Sequence, residues 1–169
     1  VIDLQAENKI NNHIHENKKN IIAQSPINTE LKGNFVKPTI IEIGKLDDLE
    51  EEIFGPIIHV IRYKANALEK LVSDINKLNY GLTLGIQSRI DNTINYIFNN
   101  VRVGNVYINR NIVGAVVGVQ PFGGHGLSGT GAKAGGPNYL IQFVNEKMLT
   151  YNTTAAGGNA SLMMLEDNK

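Results

Sequence analysis

The sequence predicts an α/β fold in which a parallel sheet is built through crossover helices. Between residues 57 and 109 the pattern alternates strand, helix, strand, helix and strand, which implies parallel pairing through right-handed crossovers. The composition, 42% hydrophobic and 19% charged residues, is that of a globular protein. A glycine-rich stretch over 109–137 follows the last strand, and open parallel sheets bind ligands beyond the carboxyl ends of their strands.

The first third of the chain predicts one helix and two strands. Asp3 is placed to cap a helix that runs to about residue 18, with apolar residues spaced by four. A short strand over 21–23 precedes a turn at Ser25 and Pro26. A longer strand is expected over 35–43, where Pro38 argues for a sheet edge or a bulge.

The central elements are predicted by their apolar periodicity. A β-branched strand over 57–63 is followed by an amphipathic helix over 66–79, with Gly81 as its stop signal. A strand over 82–87 comes next, and Asp91 is placed to cap a second helix. The strand over 104–109 completes the alternation. Beyond the glycine-rich stretch, residues 139–151 predict a short helix that runs into a strand.

Composition and charge exclude several classes of function. The 16 basic and 16 acidic residues cancel, so the chain lacks the charge footprint of a nucleic-acid or anionic-membrane protein. No apolar run approaches the roughly 20 residues of a membrane span, and the N-terminus does not resemble a signal peptide. A cytosolic protein is the simplest interpretation. The absence of cysteine excludes disulfides, thiolate metal sites and a cysteine nucleophile within this chain.

The four histidines do not predict a metal site. His13 and His15 are two residues apart and point to different faces of a helix, which makes them a poor pair of metal ligands. His59 and His125 are far from both in sequence. We expect structural or solvent-facing roles for all four.

A glycine pattern at 124–129 matches the GxGxxG fingerprint of dinucleotide-binding folds. That fingerprint follows a buried strand and opens a helix. Here Pro121 and Phe122 precede it, and another glycine-rich run follows. We therefore do not assign a Rossmann turn to this segment.

Two other segments are candidate ligand contacts. In an extended chain Glu52 and Phe54 point to the same side, so that a carboxylate and a ring could meet a ribose and a nicotinamide. Spacing alone favours a plainer interpretation, a solvated Glu52 and a Phe54 in the core. The small residues Gly114 and Ala115 can leave backbone N–H groups free for an anion, with Phe122 covering its aliphatic part. Spacing does not separate that role from a simple turn.

Three segments resemble the aldehyde dehydrogenase superfamily: EEIFGP at 51–56, GNVYIN at 104–109 and QPFGGHGLSGTG at 120–131. The longer stretch from NRNIVGAVVG to GLSGTGAKAGGP is similar to the Δ1-pyrroline-5-carboxylate (L-glutamate γ-semialdehyde) dehydrogenases, above all to that module of the bifunctional bacterial proline-utilisation enzymes. The tail NTTAAGGNASL resembles the end of those enzymes. The resemblance implies that 1–150 form the C-terminal part of an aldehyde dehydrogenase catalytic domain and that 151–169 are a docking or oligomer-contact tail.

The resemblance also implies individual roles. Glu52 binds the nicotinamide ribose of NAD, and Phe54 packs near the nicotinamide. Gly114 and Ala115 offer backbone N–H groups to the carboxylate of glutamate semialdehyde, while Phe122 packs against its methylene chain. His125 departs from the pattern, because related bifunctional enzymes commonly have Glu at this position.

The reaction of the family needs groups that this chain lacks. A cysteine thiolate attacks the aldehyde, and a glutamate activates the water that releases the acid. In the family these groups and the Rossmann domain precede the point that matches Val1. The resemblance therefore implies no catalytic residue here, no activity of this chain alone, and a homo-oligomeric complete enzyme. FAD belongs only to a linked proline dehydrogenase domain outside this chain.

Two alternatives remain at this point. The chain could be a non-catalytic assembly module that associates with a partner or itself through residues 143–165. Another aldehyde substrate is less well matched, because the Gly114–Ala115 segment suits a ligand that carries a carboxylate.

Overall fold

The computed structural model of the chain describes residues 1–28, 32–116 and 118–152. These residues form three α-helices, seven strands and four short 3₁₀ turns. The helices are α1 (Leu4–Glu16), α2 (Leu68–Lys77) and α3 (Asp91–Asn100). The strands are β1 (Ile21–Gln24), β2 (Thr39–Glu42), β3 (Ile57–Val60), β4 (Tyr80–Gly81), β5 (Thr83–Ile86), β6 (Asn105–Ile108) and β7 (His125–Gly126). None of the helices in the described ranges is long and apolar enough to cross a bilayer.

Helix α1 begins where the sequence predicts. The Asp3 carboxylate accepts a hydrogen bond of 2.7 Å from the Ala6 amide, which satisfies one of the free N–H groups of the first turn. Ile10, at the centre of the apolar face, is buried. The helix ends at Glu16 and continues as a 3₁₀ turn over Lys18–Asn20.

Strands β1, β2 and β3 form one mixed sheet. β1 pairs antiparallel with β2, and β2 pairs parallel with β3 from Thr39 opposite Ile57 onward. Of the two alternatives that Pro38 predicts, the edge position is wrong, because β2 is central and its Ile41 is fully buried. The ladder of β2 with β1 does contain an irregularity, which lies between Ile21 and Ala23 of β1. Pro38 is tolerated because it precedes β2, where its missing N–H interrupts no ladder and its carbonyl accepts from Ser25 at 2.9 Å.

Helix α2 buries Val72 on the predicted face, but Gly81 does not stop it. The chain leaves the helix at Asn79, which has a left-handed φ of 58°; Asn tolerates this conformation better than most residues. Gly81 instead lies in β4, where a side chain would overlap the carbonyl of Arg102. Its lack of a side chain serves close backbone packing rather than helix termination.

Strand β5, helix α3 and strand β6 form the predicted parallel crossover unit. The ladder runs from Thr83 opposite Asn105 to Ile86 opposite Ile108. The prediction that Asp91 caps α3 is wrong, because Ile90 occupies the cap position without a side-chain hydrogen bond. Asp91 is the first helical residue, where its negative charge suits the positive end of the helix dipole.

Parallel pairing is confirmed for β5 and β6, but the expected pairing of β3 with this ladder is wrong, because among the described strands β3 belongs to a separate sheet. β3 pairs with β2, whereas β5 pairs with β6. The short strand β4 follows α2 directly and pairs antiparallel with β7, Tyr80 opposite Gly126. Only Leu82 separates β4 from β5, so the chain enters the second parallel ladder directly from the β4–β7 pair.

The end of the described chain is less regular than predicted. Residues Leu140–Phe143 form a single 3₁₀ turn, and the strand expected after it is absent from residues 144–152. Phe143 contacts the ring of Tyr139 edge to face, but the apolar side chains here stay largely exposed among the described residues. Phe143, Met148 and Leu149 are all at least 70% exposed. Most of the predicted tail, 153–169, lies outside the described residues.

Candidate functional site

The glycine-rich segment leaves the sheet at the carboxyl ends of β5 and β6. Asn109, directly after β6, has a φ of 53° and donates its backbone N–H to the Ile86 carbonyl at 2.9 Å. Its side-chain amide pairs with the backbone of Ser88 in both directions, at 3.0 and 2.9 Å. Gln87 adds a hydrogen bond of 3.1 Å to the carbonyl of Arg110. The segment therefore starts from a fixed position at the strand ends, where α/β proteins place ligands.

Gly114 and Ala115 form a half-buried turn with two available donors. Gly114 has a φ of 55°, a conformation that favours glycine. The backbone N–H groups of Gly114 and Ala115 donate to no acceptor among the described residues. A side chain at Gly114 would meet no atom within 4 Å. Two free N–H groups beside open space can bind an anion such as a carboxylate.

The turn rests on Tyr107, a residue that the sequence analysis did not assign a role. The Tyr107 hydroxyl donates a 2.7 Å hydrogen bond to the carbonyl of Gly114, and its ring is only 5% exposed. The guanidinium of Arg110 lies over that ring, 4.6 Å from its centroid. A single tyrosine within a strand pattern predicts core packing, so the sequence held no signal for this contact.

Phe122 lies where the segment folds back on itself. Its backbone forms an isolated antiparallel bridge with Ala134, with both N–H···O distances at 3.0 Å. The side chain is half-buried. Lys133, next to Ala134, donates its ammonium to the carbonyl of Gly104. Phe122 is thereby fixed on a backbone that β6 supports.

The density of glycine is explained by close contact between backbones. A side chain at Gly104 would overlap the carbonyl of Gly123, and one at Gly124 would overlap the backbone of Ser128. The GxGxxG pattern falls on this packing, and its centre is the strand β7, which pairs with β4 and opens no helix. The structure thus agrees that this pattern is not a Rossmann turn.

Glu52 and Phe54 line the same cavity, as their spacing predicts. The cavity has a volume of about 770 Å³, and its other wall comes from α1, including Ala6 and Ile10. Phe54 is 84% exposed, so the plainer interpretation that it belongs to the core is wrong. The exposed Glu52 makes no hydrogen bond or ion pair with the described residues, whereas Glu51 pairs with Lys9 at 2.7 Å.

The structure brings Glu52 close to the glycine-rich segment, but not to its turn. A second cavity, of about 470 Å³, is lined by Glu52, Thr83 and Ser128. Gly114, Ala115 and Phe122 line neither of the two cavities that Glu52 borders. Glu52 and Phe54 therefore lie near α1, and Gly114 and Ala115 follow the carboxyl end of β6. Phe122 lies at the other end of that strand, because its neighbours Pro121 and Gly123 both hydrogen-bond the side chain of Asn105.

His13 and His59 contact each other, although they lie 46 residues apart in the sequence and no spacing pattern predicted the contact. Their Nε2 atoms lie 2.8 Å apart, with the rings edge to face. Burial, and next the charge of His13, lower the pKa of His59. Within the described ranges no three His, Cys, Asp or Glu side chains are grouped as metal ligands. His125 lies exposed on β7.

The family model described as the aldehyde dehydrogenase family matches residues 1–149. The chain belongs to the aldehyde dehydrogenase family. It is 61% identical over 112 residues to the bifunctional protein PutA of Rhizobium meliloti, which is 66% of this chain and 9% of that protein. It is 38% identical over 155 residues to a 1-pyrroline-5-carboxylate dehydrogenase of Staphylococcus aureus, which is 89% of this chain and 29% of that protein.

Solved structures agree with this assignment. A mutant proline utilization A (PutA) from Bradyrhizobium japonicum matches with a TM-score of 0.83 and 50% identity, over 92% of this chain and 16% of that chain. A 1-pyrroline-5-carboxylate dehydrogenase from Thermus with bound NAD matches with a TM-score of 0.72 and 37% identity, over 85% of this chain and 28% of that chain. The chain spans less than a third of each of these four proteins.

Proposed function

We propose that this chain is the C-terminal segment of an NAD-dependent L-glutamate γ-semialdehyde (Δ1-pyrroline-5-carboxylate) dehydrogenase of proline catabolism. The observation that carries the proposal is the turn at Gly114 and Ala115, where two N–H groups have no acceptor among the described residues and the space beside the Gly114 Cα is open. Such a turn suits a substrate with a carboxylate remote from its aldehyde. The names of the PutA and dehydrogenase relatives support the same substrate.

In this proposal the glycine-rich segment binds and orients the substrate. The N–H groups of Gly114 and Ala115 donate to the substrate carboxylate, and Phe122 packs against the methylene chain. Anchoring at the carboxylate fixes the distance of the aldehyde from the turn. Such positioning lowers the entropy cost of the reaction.

The group around Glu52 fits the nicotinamide side of NAD. Its carboxylate is exposed and unpaired within the described residues, so it can accept hydrogen bonds from the hydroxyls of a ribose. Phe54, exposed on the same cavity, offers an apolar face to a flat ring. When bound, NAD would serve as the oxidant of the reaction. The NAD-bound Thermus relative supports this choice of cofactor.

The chain supplies binding groups and no nucleophile. It contains no cysteine, so in this proposal the thiolate, the general base and the Rossmann domain come from outside these residues. Residues 1–150 then complete the catalytic domain, and 151–169 act as a docking or oligomer-contact tail in a homo-oligomer. A linked proline dehydrogenase domain, with its own FAD, is a further partner in this proposal; the word bifunctional in the name of the PutA relatives supports a second activity in the same protein.

A comparison of the complete protein with the isolated chain tests the proposal. We expect the complete protein that carries this segment to form NADH from Δ1-pyrroline-5-carboxylate, and the purified 169-residue chain to form none. Butyraldehyde, which has no carboxylate, should give a much lower kcat/KM. Equal kcat/KM values for the two substrates would remove the proposed role of the turn, and NADH formation by the isolated chain would contradict its dependence on outside groups.

The alternative of an assembly module is favoured by the exposed apolar end of the described chain. Seven apolar side chains there are 63–84% exposed, and the described residues leave them uncovered. They are Leu140, Ile141, Phe143, Val144, Met148, Leu149 and Tyr151. An exposed apolar run of this size is typical of an interaction surface. Sedimentation over a range of concentrations tests this alternative, which a monomer at every concentration would contradict.

A further inference from the structure

Tyr107 connects the ladder of β5 and β6 to the turn at Gly114 and Ala115. It lies in β6 opposite Gly85, and its side chain is 5% exposed. Buried hydroxyl groups almost always find a hydrogen-bond partner. The partner here is the carbonyl of Gly114, seven residues further on, at 2.7 Å.

The position of that carbonyl determines where a neighbouring N–H points. The C=O of Gly114 and the N–H of Ala115 belong to one planar trans peptide, so they point in opposite directions. When the carbonyl is held toward Tyr107, the Ala115 N–H is directed away from the buried ring. Glycine alone does not fix this plane, because its backbone adopts many conformations.

We infer that Tyr107 is a positioning residue that orients the Gly114–Ala115 turn toward the carboxylate of the substrate. The inference rests on the proposed function, because it assigns a role in that same site. Tyr107 acts through the turn and does not itself touch the substrate. Its hydroxyl is already engaged with Gly114.

Arg110 holds the ring from the outside. Its guanidinium lies 4.6 Å from the centroid of the Tyr107 ring, a cation–π contact. The backbone of Arg110 is fixed in turn by Gln87, which donates to its carbonyl at 3.1 Å. The ring therefore has a cation over one face, carried by a residue whose backbone is held in place.

The test removes only the hydroxyl. In the complete enzyme that carries this chain, Tyr107→Phe should raise both the KM for the semialdehyde and the Kd for L-glutamate about fivefold, the effect of one lost hydrogen bond. Calorimetry without NAD gives the Kd. The kcat/KM for butyraldehyde should not change, because that substrate has no carboxylate for the turn to bind.

Tyr96→Phe is the matched control, since it makes the same chemical change at a hydroxyl without a hydrogen-bond partner among the described residues. It should leave both constants unchanged. Arg110→Gln is a second variant that tests the same inference even if Tyr107→Phe folds poorly. Arg110 is exposed, and its loss should raise the Kd about twofold by loosening the ring.

The outcomes separate this inference from the proposed function. If the unmodified enzyme binds L-glutamate and Tyr107→Phe binds it equally well, the inference fails alone. If Tyr107→Phe loses activity equally with butyraldehyde, Tyr107 is a general structural residue and the inference also fails. If the unmodified enzyme neither binds L-glutamate nor oxidises the semialdehyde, the proposed function fails and takes the inference with it.

Discussion

The Nε2 atoms of His13 and His59 lie 2.8 Å apart and join helix α1 to strand β3. A hydrogen bond between two imidazoles needs a lone pair on one ring, so the pair holds at most one positive charge. Burial disfavours the charged form of His59, and the charge of His13 disfavours it further; both lower its pKa. The contact thus depends on pH.

The first prediction concerns stability in mild acid. The pKa of His59 in the folded chain lies below its ordinary value of 6.5. As the pH falls below that value, the unfolded chain takes up a proton before the folded chain does, so acidification favours unfolding. We expect the free energy of unfolding to fall from pH 6.5 downward, and urea titrations at a series of pH values measure it.

Two variants isolate the contribution of this pair. His59→Gln should flatten the dependence on pH below 6.5. His15→Gln, an exposed position on the same helix, should leave it unchanged. An unmodified chain whose stability does not vary over this range would show that the pair contributes nothing.

The second prediction compares two neighbouring carboxylates. In the complete enzyme Glu52→Gln should raise the KM for NAD about tenfold, because it weakens charge-assisted hydrogen bonds to a ribose. Glu51→Gln removes only an exposed ion pair with Lys9, and such pairs contribute little. Initial rates at varied NAD concentrations measure both. Equal effects of the two changes would refute a specific role for Glu52.

Local patterns predicted the helices and the second parallel ladder, and the reasons are physical. Ile10 and Val72 lie on apolar stripes with helical period, and both are buried. The errors arose where local chemistry was outweighed by neighbours far along the chain. Gly81 follows α2 as a helix-stopping glycine would, but its role is set by the backbone of Arg102. Arg102 lies outside α2, so the sequence pattern of that helix cannot reveal the contact.

The site was predictable only in part for the same reason. Period-two spacing predicted that Glu52 and Phe54 lie on one side, and both line one cavity. The N–H groups at 114 and 115 have no acceptor among the described residues, but their role in binding stays a prediction. The hydrogen bond of Tyr107 and the pairing of His13 with His59 depend on side chains that the fold brings together. Sequence reasoning had no period or spacing from which to infer either contact.

The third prediction concerns the close backbone contact below the glycine-rich segment. A side chain at Gly104 would overlap the carbonyl of Gly123. Since backbone cannot move aside as a flexible side chain can, Gly104→Ala should lower the free energy of unfolding by more than about 3 kcal/mol. At Gly44 an added methyl meets only Asp48 at an ordinary 3.6 Å, so Gly44→Ala serves as the control. Urea unfolding of both variants measures the difference, and similar losses would contradict this account.

The last prediction concerns the turn itself. Gly114 has a φ of 55°, and a side chain there would meet no protein atom within 4 Å. A substitution is therefore opposed by backbone strain rather than by a clash, and a β-branched residue is strained most. Gly114→Val should move the turn out of its conformation and raise the KM for the semialdehyde about tenfold or more. Gly114→Asn should raise it less, because asparagine tolerates positive φ. The kcat/KM for butyraldehyde should change in neither variant, and equal KM values for the two variants would show that the conformation of Gly114 is not what binds the carboxylate.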